Sequence, residues 1–458
     1  MTVFGRVKKI HLIGIGGSGM SSIAEILLNL GYNVTGSDIN RSEITDKLVA
    51  LGATVYIGHK YENVDESDVL VYSAAIPSNN PEIHAAHDLN IPIIGRAEML
   101  AELMRMKRGI GIAGTHGKST TTSLIGELLT FAGIDPTIII GGRAVNLAGS
   151  SKLGAGEYLV VEADEFDKTF LKLTPTIAIV TTLEKEHMEC YDGLDDLKDS
   201  FTQFLNSVPF YGASIVCLDE RSIQELIPNL RRRIITYGLS TQSDIRATKI
   251  SFHQNRSRFH VEAYGNDLGE IEVALLGLHN VRNVLAAVSV GLELDIPFEK
   301  IAQGISEFGG VYRRFQVYGE RKDILVVDDF AHHPTEIRVT LEGVKMGYDR
   351  RIIAVFQPHL FSRTRDFADD FGKAFLDCDV LIVTSIYPAR EKPIEGITGN
   401  LIAQAARDFG HRNVMYIPDR DSIPEKLLEI VRKNDIVLVL GAGDVNKVAI
   451  EFYDMLDK

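Results

Sequence analysis

Cysteine is nearly absent from this chain: its 458 residues hold three, Cys190, Cys217 and Cys378, odd in number and far apart. That excludes a disulfide framework, offers no CxxC pair for zinc, and fits a reducing compartment. Positive charge is short as well. Lys and Arg number 48 against 62 Asp and Glu, a formal net charge of −14. Such a balance disfavours the broad phosphate neutralisation that nucleic-acid binding requires, while a local basic pocket can still hold a small anion. Also missing is any apolar run reaching the ~18 residues of a membrane span. The opening stretch, "MTVFGRVKKIHLIGIGG", has too short an apolar core for a leader and no small-residue cleavage signal. These absences lead us to expect a cytoplasmic protein with neither nucleic acid nor membrane as partner.

What is present is the composition of a globular protein, 45% hydrophobic and 24% charged. The length predicts about three domains. Residues 7 to 38 read as strand, glycine turn, helix, strand, and short apolar runs recur at "SDVLVYSAA" and "IPIIG", the pattern of a parallel α/β sheet. That pattern ends near "MRMKRG". A new buried strand, "GIGIAG", then opens a second α/β region, continued by "EYLVVEAD" and "TIAIVTT". Between about 230 and 275 the texture becomes alternating, as in "SRFHVEAYG", which suits half-exposed antiparallel strands of that second sheet. After "YRRFQVYGERK", the runs "DILVVDD", "RIIAVFQP", "DVLIVTSI" and "DIVLVLGAG" form a third α/β unit.

Three glycine turns stand out. In "GIGGSG", Gly14, Gly16 and Gly19 lie between a strand and a helix, and Asp38 ends the next strand. Such glycines let phosphates approach the helix N-terminus, and an acid at the second strand's end accepts a ribose hydroxyl. The turn does not distinguish NAD from another nucleotide. The second, "GTHGKSTTT", spans residues 114 to 122 and lacks the first glycine of the common phosphate-binding loop, where Ile112 stands instead. Its alternative reading is an ordinary turn with a surface lysine. The buried strand before it, the helical segment after it and the intact Gly117-Lys118-Ser119 favour a nucleoside triphosphate, with Lys118 on the phosphates and Ser119 on Mg²⁺. The third, "VLVLGAGDV", has Gly441 and Gly443 after a strand and reads as a packing turn without a catalytic role.

Charged and polar residues gather at other strand ends. "VVEADEFDKTF" places Glu162, Asp164, Glu165 and Asp167 where a hard cation on a triphosphate would find oxygen ligands. His187 follows the next strand. His279, Asn280 and Asn283 begin a helix and can face a purine edge, although helix capping accounts equally for Asn280. Arg313 and Arg314, Asp328 and Asp329, His332 and His333, then His359, Arg363 and Arg365 all flank strands, and arginines so placed suit carboxylate or phosphate recognition.

The ordered set "GIGGSGMSSIA", "YSAAIP", "GTHGKSTTT", "VEADE", "HNVRNVLAA", "YRRF", "DDFAHHPTEI", "FQPHLFSRTRDF" and "YPAREKPIEGI" resembles the Mur ligase family, ATP-dependent amide-forming enzymes of peptidoglycan synthesis, over nearly the whole chain. That family uses a short G-T-x-G-K-[ST] loop, so Gly114 and Gly117 are its expected glycines. The resemblance implies a three-domain α/β architecture: a Rossmann-like UDP-sugar domain at 1–107, a central P-loop ATPase domain at 108–319 and a Rossmann-like C-terminal domain at 320–458. It further implies ligation of L-alanine to the lactoyl carboxylate of UDP-N-acetylmuramate through an acyl phosphate, with ATP as co-substrate and Mg²⁺.

Carried over residue by residue, the resemblance gives ATP the loop Gly114, Thr115, His116, Gly117, Lys118, Ser119 and Thr120 with His279, Asn280, Asn283, Arg314 and Asp329. The UDP-sugar takes Gly14, Gly16, Gly17, Ser18, Gly19, Asp38 and Ser73. Metal falls to Ser119, Glu162 and His187, the amino acid to His332, His359 and Arg363, and catalysis to Lys118, Glu162, His187 and Arg314. Departures occur at Thr181-Thr182 for "TN", "EHME" for "DHMD", Phe330 for Tyr and Leu360 for Arg. Three alternatives stay open at this point: a ligase that joins a preformed murein tripeptide to the same UDP-sugar, an NAD-dependent oxidoreductase with an appended ATPase domain, and a noncatalytic UDP-sugar sensor.

Overall fold

The computed structural model describes residues 4–73, 75–141, 145–146, 151–186, 190–389 and 391–457, with the side chains of Ser18 and Asp167 outside that description. Two compact units emerge, one of residues 1–248, 260–271 and 282–309, the other of residues 249–259, 272–281 and 310–458. Among the described residues no helix is long and apolar enough to cross a membrane.

The first sheet holds β1 (Lys9–Ile13), β2 (Asn33–Asp38), β3 (Thr54–Ile57), β4 (Val69–Tyr72) and β5 (Ile93–Gly95) in the order β3-β2-β1-β4-β5. All four pairings are parallel. Its helices are α1 (Ser18–Asn29), α2 (Glu43–Ala50), α3 (Pro81–Asp88) and α4 (Arg96–Arg105). Local signals start them: the Ser42 hydroxyl accepts from Thr45 N while Thr45 answers the Ser42 N–H, and Asn80 caps α3 with Pro81 at its first position. The strand order reverses at β1, whose neighbours run to either side, and Ile13 pairs with both Ser37 and Tyr72. Asp38 and Ser73 therefore stand one residue beyond β1's partners, beside the turn that begins at Gly14.

The second sheet has ten strands: β6 (Arg108–Ala113), β7 (Thr137–Ile139), β8 (Ser151–Lys152), β9 (Tyr158–Glu162), β10 (Ile177–Val180), β11 (Ala213–Cys217), β12 (Ile234–Gly238), β13 (Ile245–His253), β14 (Arg256–Ala263) and β15 (Asn266–Val273). Their order is β15-β14-β13-β12-β11-β10-β6-β9-β7-β8. Helices α5 (Lys118–Phe131), α6 (Leu194–Asn206), α7 (Arg221–Gln224), α8 (Leu278–Glu293) and α9 (Phe298–Ser306) accompany them. β14 alternates buried and more exposed residues, as its sequence pattern requires. β6, by contrast, is buried along nearly its whole length, between β10 and β9.

The third sheet comprises β16 (Gln316–Arg321), β17 (Ile324–Asp329), β18 (Arg351–Phe356), β19 (Val380–Val383), β20 (Val414–Tyr416) and β21 (Asp435–Leu440), in the order β16-β17-β21-β18-β19-β20. Only β16 runs antiparallel to its neighbour. Helices α10 (Pro334–Gly347), α11 (Phe361–Asp366), α12 (Ala368–Ala374), α13 (Asn400–Asp408), α14 (Ile423–Ile430) and α15 (Asn446–Met455) cover it. Successive strand residues feed opposite cores: Leu325, Val327, Ile352 and Ala354 enter one, Ile324, Val326, Ile353 and Val355 the other. A parallel sheet covered on both faces needs such continuous apolar runs.

Candidate functional site

Strand register explains why the P-loop meets particular side chains. Ile112 on β6 pairs with Glu162 on β9, and Ala113 with Val180 on β10. The acid at the end of β9 and the two threonines after β10 thus converge on residues 114–119. Gly114 and Gly117 adopt positive φ of 136° and 81°, conformations that only glycine takes without strain. A side-chain carbon at Gly117 would also lie 2.6 Å from Asn283 Oδ1.

Around this loop the polar groups are organised. Lys118 Nζ donates to Gly114 O at 2.6 Å and to the buried Glu165 Oε1 at 2.7 Å. Ser119 Oγ lies 3.0 and 3.2 Å from the two oxygens of Glu162, and Gly141 N donates to Glu162 Oε2 at 2.8 Å. Thr182 Oγ1 accepts from His116 N at 2.8 Å, and Thr181 Oγ1 donates to His116 O at 2.5 Å. Thr115 Oγ1 stands 2.9 Å from Thr182 Oγ1 and accepts from Glu184 N. The hydroxyls of Thr181 and Thr182 therefore brace the loop. Burial works against the Lys118 ammonium, but Glu165, Glu162 and Asp164 outweigh it and hold its pKa above the ordinary value. A charged lysine results, placed at the N-terminus of α5, where the first-turn N–H groups have no intrahelical acceptors.

Asn283 sits against this loop, its Oδ1 accepting from Thr121 Oγ1 at 3.3 Å. Next to it, Arg282 Nε donates to Asp219 Oδ2 at 2.7 Å, anchoring α8 to the end of β11. Asn280, one turn earlier, uses its amide on Leu276 O at 2.8 Å. His279 shares the same first turn. Thr120 is buried within α5. His187 lies outside the described residues.

At the first glycine turn, Gly14 N and Ile15 N donate to Ser37 O, and Gly16 N donates to Asp38 Oδ2 at 2.9 Å. A side-chain carbon at Gly16 would meet that same carboxylate oxygen at 2.9 Å, so the residue must stay small. Gly17 is the cap of α1, which has no acid in its first turn. Ser73, just past β4, accepts from Ala75 N. Unassigned by the sequence reading, Arg96 also stands here: its Nη2 donates to Asp164 Oδ2 at 3.2 Å.

In the second unit the two adjacent arginines part company. Arg313 is locked into the fold by Asp328 Oδ2 at 3.0 Å, Gly443 O at 2.9 Å and Gly441 O at 2.6 Å. Arg314 reaches Glu336 Oε1 at 3.3 Å and lies over the Phe330 ring. Both oxygens of Asp329 accept from the backbone, from Phe315 N and Ala331 N, each at 2.7 Å. Phe330, His332, His359 and Tyr387 form an aromatic row with centroid spacings of 5.3, 5.8 and 5.8 Å. Burial, then the positive fields of His332 and Arg363, pull the His359 pKa down to about 4, which leaves its ring neutral at pH 7. Arg363 rides on α11, whose N-terminal N–H groups at Phe361 and Ser362 donate to Glu391 Oε2 at 2.6 and 3.0 Å. Leu360, with φ of 70°, turns the chain into that helix, its N–H held by Tyr387 O. Sequence reading quoted Glu391 within its motif and gave it no role; Tyr387 precedes it in the same stretch.

Two strand-to-helix glycine turns stand beside parallel strands, and the one carrying Lys118, Ser119 and an acidic strand end gives the chain the class of a P-loop protein. Family models sharpen that class: the Mur ligase family catalytic domain matches residues 9–108, the Mur ligase middle domain 112–291, and the glutamate ligase domain 313–443. The chain belongs to the Mur ligase family. It is 53% identical to a UDP-N-acetylmuramate–L-alanine ligase of Geotalea uraniireducens (strain Rf4), over 97% of each chain. Among solved structures it is similar to the UDP-N-acetylmuramate-alanine ligase of Thermotoga maritima, with 26% identity, a TM-score of 0.83 and coverage of 98% of this chain and 99% of that one. A murein peptide ligase of Psychrobacter arcticus 273-4 is also similar, at 26% identity and a TM-score of 0.71, with 98% of both chains covered.

Proposed function

We propose that this chain joins L-alanine to the lactoyl carboxylate of UDP-N-acetylmuramate at the expense of ATP, in peptidoglycan precursor synthesis in the cytoplasm. The observation that carries the reading is the 53% identity, across 97% of both chains, to a ligase of that name. The P-loop supports it, because Lys118 is held by Glu165 and the adjacent Ser119 by Glu162, two carboxylates of one acidic stretch. The same reading divides the chain into sugar-nucleotide, ATP and C-terminal parts at 1–107, 108–319 and 320–458.

A carboxylate does not condense with an amine in water until its oxygen becomes a leaving group. Transfer of the γ-phosphoryl group from ATP to the lactoyl carboxylate gives an acyl phosphate and ADP; attack by the alanine amine then forms the amide and releases phosphate. Lys118, already charged, exchanges its contact with Gly114 O for the phosphate oxygens and offsets their charge. Ser119 and Glu162 are hard oxygen donors at the triphosphate end of the loop, so the donor set fits Mg²⁺. That ion supplies further charge neutralisation when bound, and His187 is assigned to a second metal. Asn280 and Asn283, with His279, are assigned to the adenine, Asp329 to the nucleotide, and Arg314 to phosphate charge. His332, His359 and Arg363 are assigned to the alanine.

Phosphate release from ATP with UDP-N-acetylmuramate, compared without acceptor, with L-alanine and with L-alanyl-D-glutamyl-diaminopimelate, tests the reading. Release only with L-alanine, and a product heavier by one alanine residue, is the expected result. Release only with the tripeptide would replace it by the murein peptide ligase reading.

A further inference from the structure

Beside the aromatic row of the second unit, two stretches of chain are fastened to each other. Tyr387 N donates to Pro358 O at 2.8 Å, Leu360 N donates to Tyr387 O at 3.0 Å, and the His359 and Tyr387 rings stack with centroids 5.8 Å apart. Glu391 completes the fastening. Its Oε2 accepts from Phe361 N at 2.6 Å and Ser362 N at 3.0 Å, and its Oε1 accepts from the Ser362 hydroxyl, so three donors converge on one carboxylate. Burial works against its charge, but the Ser362 hydroxyl and the two N–H groups outweigh it and hold its pKa below the ordinary value.

Both stretches carry strained backbone. Leu360 has φ of 70° and ψ of 138°, and Ala389 has φ of 50°, conformations that a residue with a side chain rarely takes. Such backbone persists only where its surroundings over-determine it, and it gathers at functional sites. Here Leu360 turns the chain between His359 and α11, which carries Arg363 in its first turn. A six-residue helix does not hold itself in place. The direction of Arg363 is therefore set where the start of α11 is anchored, and Glu391 is that anchor.

We infer that Glu391 is a positioning residue for the amino-acid substrate: it holds the strained turn at Leu360 and the start of α11, and through them aims the Arg363 guanidinium at the substrate carboxylate. An arginine grips a carboxylate with two parallel N–H donors only when its plane is set. Without Glu391 the turn relaxes toward ordinary backbone, the start of α11 shifts, and that paired grip is lost, while Lys118 and Ser119 keep their own contacts. The inference rests on the reading of Arg363 as an alanine ligand.

Steady-state ligation with L-alanine varied, at saturating ATP, Mg²⁺ and UDP-N-acetylmuramate, tests this in the wild type, E391A, E391Q, S362A, R363A and R363A/E391A. E391A should raise the KM for L-alanine about tenfold, the scale of one lost hydrogen bond to a charged group, while kcat and the KM for ATP and for UDP-N-acetylmuramate stay within about threefold. E391Q should stay within about twofold of wild type, because its carbonyl accepts the same N–H groups and its amide reaches the Ser362 oxygen. S362A, a milder cut at the same anchor, should show the same split at about threefold. Because Glu391 acts through Arg363, adding E391A to R363A should raise the KM no further, whereas a purely structural role would add its full factor. A wild-type KM for L-alanine in E391A, or a rise that multiplies in the double variant, would overturn the inference alone. A wild-type KM for L-alanine in R363A would overturn the alanine-ligand reading beneath it.

Discussion

The turn after β6 and the turn after β21 have the same raw materials: a buried parallel strand, two glycines, and positive φ at the first of them, 136° at Gly114 and 146° at Gly441. Their surroundings are opposite. After β21 the chain's own side chains fill the turn: Arg313 donates to the carbonyls of Gly441 and Gly443, Gln357 Nε2 donates to Asp444 at 3.0 Å, and Gln357 Oε1 accepts from Val445 N at 3.2 Å. After β6 a charged lysine opens the helix and stands among carboxylates. Glycines make either turn possible. What distinguishes them is which groups fill them: the turn's own carbonyls hold an arginine after β21, whereas after β6 carboxylates hold a lysine and a serine, contacts that charged ligands can exchange for their own, which makes that turn the open one.

The largest effect should come from removing the charge at the open turn. Lys118→Ala is expected to lower ligation by roughly 10³-fold, the scale of losing one pre-positioned electrostatic group, while calorimetric affinity for UDP-N-acetylmuramate stays within about twofold. Wild-type-like phosphate release would reject the P-loop assignment. Arg313→Ala breaks the filled turn, where the damage should appear as stability. It strips Gly441 and Gly443 of their donor and leaves Asp328 buried without its paired arginine, a loss of about 3–5 kcal/mol in urea unfolding at pH 7. An unfolding midpoint unchanged from wild type would show that the arginine is not holding the turn.

Much of this contrast could be read from the sequence, and the reasons for the remainder are specific. Buried runs such as "GIGIAG" and "DIVLVL" announce parallel strands, and "GTHGKS" announces its turn, because each is local. Strand order is not local: that β9 and β10 flank β6, bringing Glu162 and Thr182 onto the loop, follows from crossovers that periodicity does not encode. Arg313 and Arg314 read alike as neighbours in "YRRF", yet register at β17 and β21 buries one in the turn and leaves the other against Glu336 and Phe330. Arg96 opens an ordinary amphipathic helix in sequence, and its approach to Gly19 exists only in three dimensions.

Asp328 sharpens the comparison through pH. Its carboxyl is buried, and Oδ1 has no hydrogen-bond partner among the described residues; burial pushes its pKa up to about 6, with Arg313 pulling the other way. Between about pH 4 and 6 the folded chain keeps this proton while the unfolded chain has released it, so stability contributed by the group falls as pH rises through that window. At 1.36 kcal/mol per pKa unit the fall is up to ~3 kcal/mol. Asp328→Asn should lack this slope. Urea unfolding of both proteins at pH 4, 5, 6 and 7 checks it: the wild-type stability minus that of the variant should decline with pH, and a flat difference would contradict the raised value.

The smallest effect is expected at Ser119, because it shares its task. Its hydroxyl and the Glu162 carboxylate form one hard-oxygen group at the end of the loop, and Gly141 N already fixes one oxygen of that carboxylate. Ser119→Ala removes a neutral donor and leaves the charged one in place, so the Mg²⁺ concentration for half-maximal ligation should rise about tenfold, the loss of one modest ligand worth ~1.4 kcal/mol. Lys118 keeps its contacts to Gly114 O and Glu165, which do not run through the serine hydroxyl. The turnover at saturating Mg²⁺ should therefore remain near wild type. A turnover defect as deep as that of Lys118→Ala, unrelieved by Mg²⁺, would place Ser119 on the transferring phosphoryl group instead, and the open turn would then act as one indivisible unit.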